Sequence, residues 1–210
     1  LLVLYDMEQR GIQIDLGMLA EIEAEGKIRL NELEQEIYDV VGRRINPRSH
    51  QEMSKFLFEE KQYKRPSKET KSGESSLDED SLKELYWTYK KKEPIFKLLL
   101  DYRELYKRIS TYCEKLPNES INGRIHTRYN QTGTATGRLS SENPNLQNLP
   151  RKGSIRDAFV PSEGMSLIKL DLSQAELRIL ADRTQDDLLL SIYQEGKDMH
   201  QETMERIGLT

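Results

Sequence analysis

The chain has 210 residues, 32% charged and 36% hydrophobic, with a formal net charge of −4. That length fits one or two domains, and no apolar run approaches the roughly 18 residues a membrane span needs. The only cysteine, Cys113, excludes an internal disulfide, so an intracellular, cytoplasmic setting with no membrane partner is expected.

Leu1 to Leu4 lacks a basic flank and soon meets Asp6 and Glu8, so it is not read as a signal peptide. Charge is uneven along the chain. Residues 1–41 hold 3 Lys+Arg against 10 Asp+Glu, net −7, and residues 42–82 hold 9 against 8, net +1. Residues 83–156 hold 15 against 7, net +8, and residues 157–210 hold 5 against 11, net −6. A polyanion is drawn to the basic middle third, and its binding there weakens with salt.

Leu1 to Arg10 reads as the end of a helix, with Gly11 as its stop. Ile12 to Ile14 is a short extended piece. Asp15 can cap a long helix to about Val41, with Leu19, Ile22, Leu30, Leu33 and Ile37 at apolar positions, Ile28 offset and Gly42 ending it. Asn46-Pro47-Arg48-Ser49 starts a new element, and Gln51 to Glu59 is helical with Met53, Phe56 and Leu57 inward.

Tyr63 to Ser76, rich in Lys, Ser, Pro and Gly, reads as a mobile loop. Leu77 to Lys92 and Ile95 to Tyr112 are two helices broken by Pro94. Leu98, Leu99, Tyr102, Leu105, Tyr106 and Ile109 form a core stripe, with Lys107 and Arg108 off it.

Ser166 to Leu170 reads as a short strand, and Ser173 with Glu176 as a capping box. Asp171 therefore falls at a strand-to-helix corner, where a carboxylate can face a cleft. Asp198 caps a last helix, Met199 to Ile207, that carries His200.

Two segments carry the most information. One is Thr134-Ala135-Thr136-Gly137-Arg138-Leu139-Ser140-Ser141, followed by Pro144-Asn145-Leu146-Gln147-Asn148-Leu149-Pro150; the other is Asp171-Leu172-Ser173-Gln174-Ala175-Glu176-Leu177-Arg178. In this order and spacing they resemble family A DNA polymerases, of the bacterial DNA polymerase I type. The resemblance extends back through Arg124 to Gln131, Tyr102 to Leu105 and, faintly, Gly11 to Asp15.

The resemblance implies an α+β fold, a mostly helical thumb followed by part of an antiparallel-sheet palm, within an incomplete polymerase domain. Residues 1–44 are expected to lead into the domain, 45–112 to form the thumb and 113–210 the first half of the palm. The implied activity is template-directed deoxynucleotidyl transfer to a primer 3′ end. Its partners are primer-template DNA, a dNTP and the remaining palm and fingers.

The resemblance also assigns roles. Two Mg²⁺ ions serve such chemistry, and Asp171 matches the first metal-binding aspartate, with the Leu172 backbone carbonyl as neighbouring ligand. Gln174, Glu176 and His200 match nucleotide-binding positions, Glu176 as the gate that excludes a 2′ hydroxyl and His200 at the phosphates. Arg138, Asn145, Gln147 and Asn148 match residues along the duplex minor groove, where donors check pair shape without reading sequence.

Arg156 matches a position near the primer strand, and Lys107 and Arg108 can reach backbone phosphates. Thr70, Ser72, Gly73 and Ser75 stand at the thumb tip, with amides and hydroxyls for phosphate. Departures from the family are Glu74 and Asp157 at positions often basic, Leu172 where an aromatic is common, and Ala175 where a larger aliphatic is common.

The nucleotide-binding helix and the second metal-binding aspartate are expected beyond Thr210, so this chain alone is expected not to polymerise. The alternative is a split or non-catalytic module that holds primer-template DNA.

Overall fold

Helix α1 (Leu2–Arg10) ends at Gly11 (φ 58°), whose N–H donates to the Met7 carbonyl. This is a computed structural model, and it describes residues 2–70, 73–89, 92–150 and 153–208. Strand β1 (Ile12–Gln13) leads to Asp15, whose carboxylate accepts from the Met18 N–H at 2.9 Å and caps α2 (Leu16–Val41). The helix closes at Gly42, φ 82°, the left-handed value that a C-terminal glycine adopts without a Cβ penalty.

Leu19, Leu33 and Ile37 of α2 are buried, while the offset Ile28 is 63% exposed. The helix also carries a glycine in its interior. A Cβ on Gly26 would come within 2.6 Å of Ile109 Cδ1, so the missing side chain lets α2 close on the segment after α5. That approach offsets the roughly 1 kcal/mol of helix propensity a mid-helix glycine costs.

Helix α3 (His50–Ser54), capped by Ser49, runs into a π-helical turn over Lys55–Glu60. Met53, Phe56 and Leu57 face inward as the spacing requires, joined by Phe58. Helix α4 (Glu79–Thr88) is capped by Asp78, which accepts from the Ser81 N–H at 3.0 Å. Helix α5 (Pro94–Arg108) starts at the proline, whose missing N–H costs nothing in a first turn. It continues into a second π-helical turn, Ile109–Cys113, and then the short α6 (Leu116–Glu119).

These helices build two cores. One joins α2, α3, α4 and α5 around Leu33, Phe56, Leu82, Phe96 and Leu99. The other joins the start of α2 and the π turn to Ile14, Ile125, Ile155 and Phe159. Burying each large side chain contributes about 1.5–3 kcal/mol. At the join, Tyr102 Oη donates to Glu34 at 2.6 Å, and Arg103 donates to the Pro47 and Leu77 carbonyls. Burial pushes the Tyr102 phenol up and the Arg103 guanidinium down from their ordinary values.

Strands β2 (Ser120–Ile121) and β3 (Arg124–Ile125) form a hairpin on Asn122 and Gly123, φ 52° and 74°. Positive φ at both central residues is what a two-residue turn between twisted strands needs. The sheet order is β1-β3-β2, all antiparallel, with Ile12 opposite Ile125. A second pair, β4 (Arg128–Asn130) and β5 (Ser140–Glu142), brackets the 131–139 loop. Helices and small antiparallel sheets together make the expected α+β fold.

The chain forms two compact units, Leu1–Ser166 and Leu167–Thr210. The second holds α7 (Ala175–Thr184), α8 (Asp187–Gln194) and α9 (Met199–Arg206), with Ala181 and Ile192 its buried hydrophobics among the described residues.

Three local expectations are corrected. Ser166 to Leu170 forms no strand, because an extended segment gains stability only from a ladder and none of the described strands pairs with it. Leu167, Ile168 and Leu170 are exposed. Ser173 does not cap α7: Gln174, in the left-handed region at φ 54°, takes that place and makes no side-chain cap bond. Finally, Ser75 is buried and its hydroxyl accepts from Arg65 at 3.0 Å, so it does not face a phosphate.

Candidate functional site

The expected DNA-facing residues lie mostly between β4 and Arg156. Three-residue 3₁₀ turns at Leu146–Asn148 and Ser154–Arg156 shape this strip. Asn145 caps the first, its Oδ1 accepting from the Gln147 N–H at 3.0 Å. The Gln147 Nε2 donates to the Leu139 carbonyl at 2.9 Å, and Ser141, buried, accepts from the Leu146 and Gln147 amides. One of the four donors that the sequence points to, Gln147 Nε2, is thus spent on the strip's own shape, together with the amide oxygen of Asn145.

Asn148 presents its side chain outward, while its carbonyl accepts from Tyr112 Oη. Arg138 is exposed at the end of the 131–139 loop, where its carbonyl accepts from Thr134 Oγ1 at 2.7 Å. Arg156 Nη2 donates to the Leu149 carbonyl at 2.9 Å and is otherwise exposed. Lys107 is exposed on α5. Arg108, expected to reach phosphate, is half-buried instead, its guanidinium against Gly153.

The tip of the 63–76 loop is a tight turn. The Thr70 N–H donates to the Glu74 carbonyl at 2.7 Å, and the Gly73 N–H to the Thr70 carbonyl at 3.0 Å, with Gly73 at φ 79°. The backbone amides of Thr70 and Gly73 are therefore turned inward, which leaves hydroxyl rather than amide chemistry for a phosphate. Ser72 lies outside the described residues. His50 Nε2 meets the Ser75 carbonyl at 2.9 Å and fixes the base of the loop.

In the second unit, Asp171 and Leu172 are exposed at the corner before α7. Arg178 Nε donates to the Ser173 carbonyl at 2.9 Å, and its guanidinium lies 4.6 Å from the Tyr193 ring centroid. That pair, which sequence reasoning missed, fixes the turn between Asp171 and Gln174. Glu176 is exposed on the first turn of α7. His200 is exposed at the start of α9, its N–H donating to the Asp198 carboxylate at 2.8 Å. The amides of His200 and Gln201 hold the Asp198 carboxyl below its ordinary range.

The donor set at the corner consists of hard oxygens, the Asp171 carboxylate and the Leu172 carbonyl, which suits Mg²⁺ rather than a softer metal. No group of three His, Cys, Asp or Glu converges among the described residues. No helix is long and apolar enough to cross a membrane, among the described residues.

Residues 16–209 match the model of DNA polymerase family A. The chain belongs to that family. It is 41% identical over 207 residues to the thermostable DNA polymerase I of Thermus filiformis, covering 96% of this chain and 24% of that relative. It is 43% identical over 209 residues to DNA polymerase I of Caldicellulosiruptor bescii, with coverage of 96% and 24%. The chain thus spans about a quarter of the length of these family A relatives.

Among solved structures it is similar to the polymerase domain of Pol1 from M. smegmatis in complex with DNA primer-template and dNTP. The TM-score is 0.82 at 38% identity, covering 94% of this chain and 35% of that one.

Proposed function

We propose that this family A chain serves template-directed DNA synthesis in its parent polymerase. In this reading residues 1–44 lead into the domain, residues 45–112 form the thumb and residues 113–210 form the first half of the palm. The observation that carries it is the likeness, over 94% of the chain, to a polymerase domain holding primer-template and dNTP.

Each residue then has a task its surroundings permit. Arg138, Asn148 and Arg156 meet the duplex, with Asn145 and Gln147 shaping the strip that presents them. Lys107 and the Thr70 hydroxyl contact backbone phosphates, with Gly73 shaping the turn that presents Thr70; Ser72, outside the described residues, is assigned the same task by its place in the sequence. Glu176 and Gln174 line the nucleotide's sugar, and His200 meets its phosphates at the positive end of α9.

Asp171 and the Leu172 carbonyl would hold Mg²⁺, which would supply neutralisation of phosphate charge. In this reading the 210-residue chain alone binds primer-template without extending it.

The other reading is a module that holds primer-template without chemistry. Primer extension with Mg²⁺ and dNTPs by the longest natural product of the gene, beside its Asp171→Ala variant, separates the two. Extension abolished by the substitution supports the polymerase. No extension by either, with DNA binding intact, supports the module. Salt-independent binding of primer-template by the 210-residue chain, or none at low salt, overturns the basic middle third as the DNA face.

A further inference from the structure

One helix end grips the DNA-facing strip at two points. Arg108 closes α5 and Tyr112 lies one turn on, in the π-helical segment, so both side chains leave the same side. Tyr112 Oη donates to the Asn148 carbonyl. Arg108 lies against Gly153, where a Cβ would come within 2.9 Å of its Cζ. Gly153 has φ 88°, so the backbone turns there in a way only glycine adopts freely.

Leu149 follows the first grip, and two residues past Gly153 Ile155 is buried in the same core as Ile109 and Tyr112. Arg156 then closes the turn on the Leu149 carbonyl. The Nε of Arg108 is buried and has no hydrogen-bond partner. A charged donor kept in such a place points to packing rather than pairing as its role, since an unsatisfied buried donor is costly.

We infer that Arg108 is a positioning residue: its planar guanidinium, pressed on Gly153, sets the height at which Asn148 and Arg156 are offered to the duplex. The inference rests on the DNA-binding reading above. Arginine is specific to the task because lysine carries the charge without the flat face. Gly153 is its counterpart, because any side chain there displaces the guanidinium.

The test uses the whole 210-residue chain and a fluorescent primer-template, titrated across salt, with wild type, Arg108→Ala, Arg108→Lys, Gly153→Ala and the Arg108→Ala/Gly153→Ala pair. Arg108→Ala is expected to weaken binding several-fold with the salt slope unchanged, and Arg108→Lys not to rescue it. The two alanine effects are expected to be non-additive by on the order of threefold or more.

Additive effects, unchanged affinity, or rescue by lysine with a slope lowered by about one in the alanine variant would overturn the inference; the last marks a direct phosphate contact. If wild type itself binds no DNA, the functional reading fails, and the grip is judged separately by amide hydrogen exchange. Faster exchange over residues 149–156 in Arg108→Ala, without change in the α2 and α5 amides, keeps the grip. Unchanged exchange there removes it.

Discussion

The strip from β5 to Arg156 and the corner at Asp171 are built in opposite ways. The strip is short of regular structure, yet nearly every turn in it is fixed from beneath: Ser141 under Leu146, Tyr112 under Asn148, Ile155 in the core. At the corner the described residues give Arg178 on the Ser173 carbonyl. Around it Ile168, Leu170 and Leu172 are 81%, 90% and 82% exposed. Three apolar side chains are thus left in water beside Asp171. The contrast teaches that irregular backbone can be well determined when a core lies under it, while a would-be strand is not determined without a partner to complete its ladder.

The sharpest way to break this comparison is through activity. Asp171→Ala is expected to lower primer extension by the parent protein by roughly two orders of magnitude or more while leaving the unfolding of this chain unchanged, because the side chain is exposed. A matching loss of thermal stability would mean that Asp171 is structural.

Next in size is the core beneath the first unit. Phe56→Ala, at a fully buried position, is expected to cost about 3–5 kcal/mol in urea unfolding. Leu170→Ser is expected to change stability by less than about 0.5 kcal/mol and to raise solubility. Equal costs at the two positions would show that the corner segment is buried after all.

A smaller effect concerns substrate choice. Glu176→Ala is expected to raise ribonucleotide use relative to deoxynucleotide by about tenfold, read as the ratio of kcat/KM values in the parent. An unchanged ratio would leave Glu176 with no part in sugar selection.

The smallest lies at the start of α4. Asp78→Ala is expected to cost about 1 kcal/mol through the lost cap. Its ion pair with Lys68 and the Ser81 amide hold the Asp78 carboxyl well below its ordinary value of 3.8. That contribution is present above the ordinary value and lost as pH falls through the lowered one. The stability gap between wild type and Asp78→Ala should therefore narrow below about pH 4, in urea titrations at several pH values. A gap that widens in acid would contradict the sign.

Helices were the most legible elements. Asp15, Gly42, Pro94 and Asp198 each end or begin a helix where the spacing puts them, because a cap acts on neighbours within one turn. The two π-helical turns left no such mark. The Asn122-Gly123 hairpin had a local signal that a search for strand-turn-strand patterns would have found. At the candidate site, the residue types were legible from motif resemblance, but their engagement was not. That Asn145 and Gln147 spend their side chains on Ser141's neighbourhood, that Ser75 is buried and that Arg108 turns from solvent to Gly153 are all facts of packing.

By itself, the sequence determined the caps of α2 and α9, the apolar stripes of α2 and α5, the basic middle third and the family, since each is written in residues close together or in fixed order. Only the tertiary structure decided which polar groups face outward and which are consumed inside. Partners for Gly26, Tyr112 and Arg108 lie tens of residues away, at Ile109, Asn148 and Gly153, and hydrogen-bond and volume constraints act on distance in space rather than on distance along the chain.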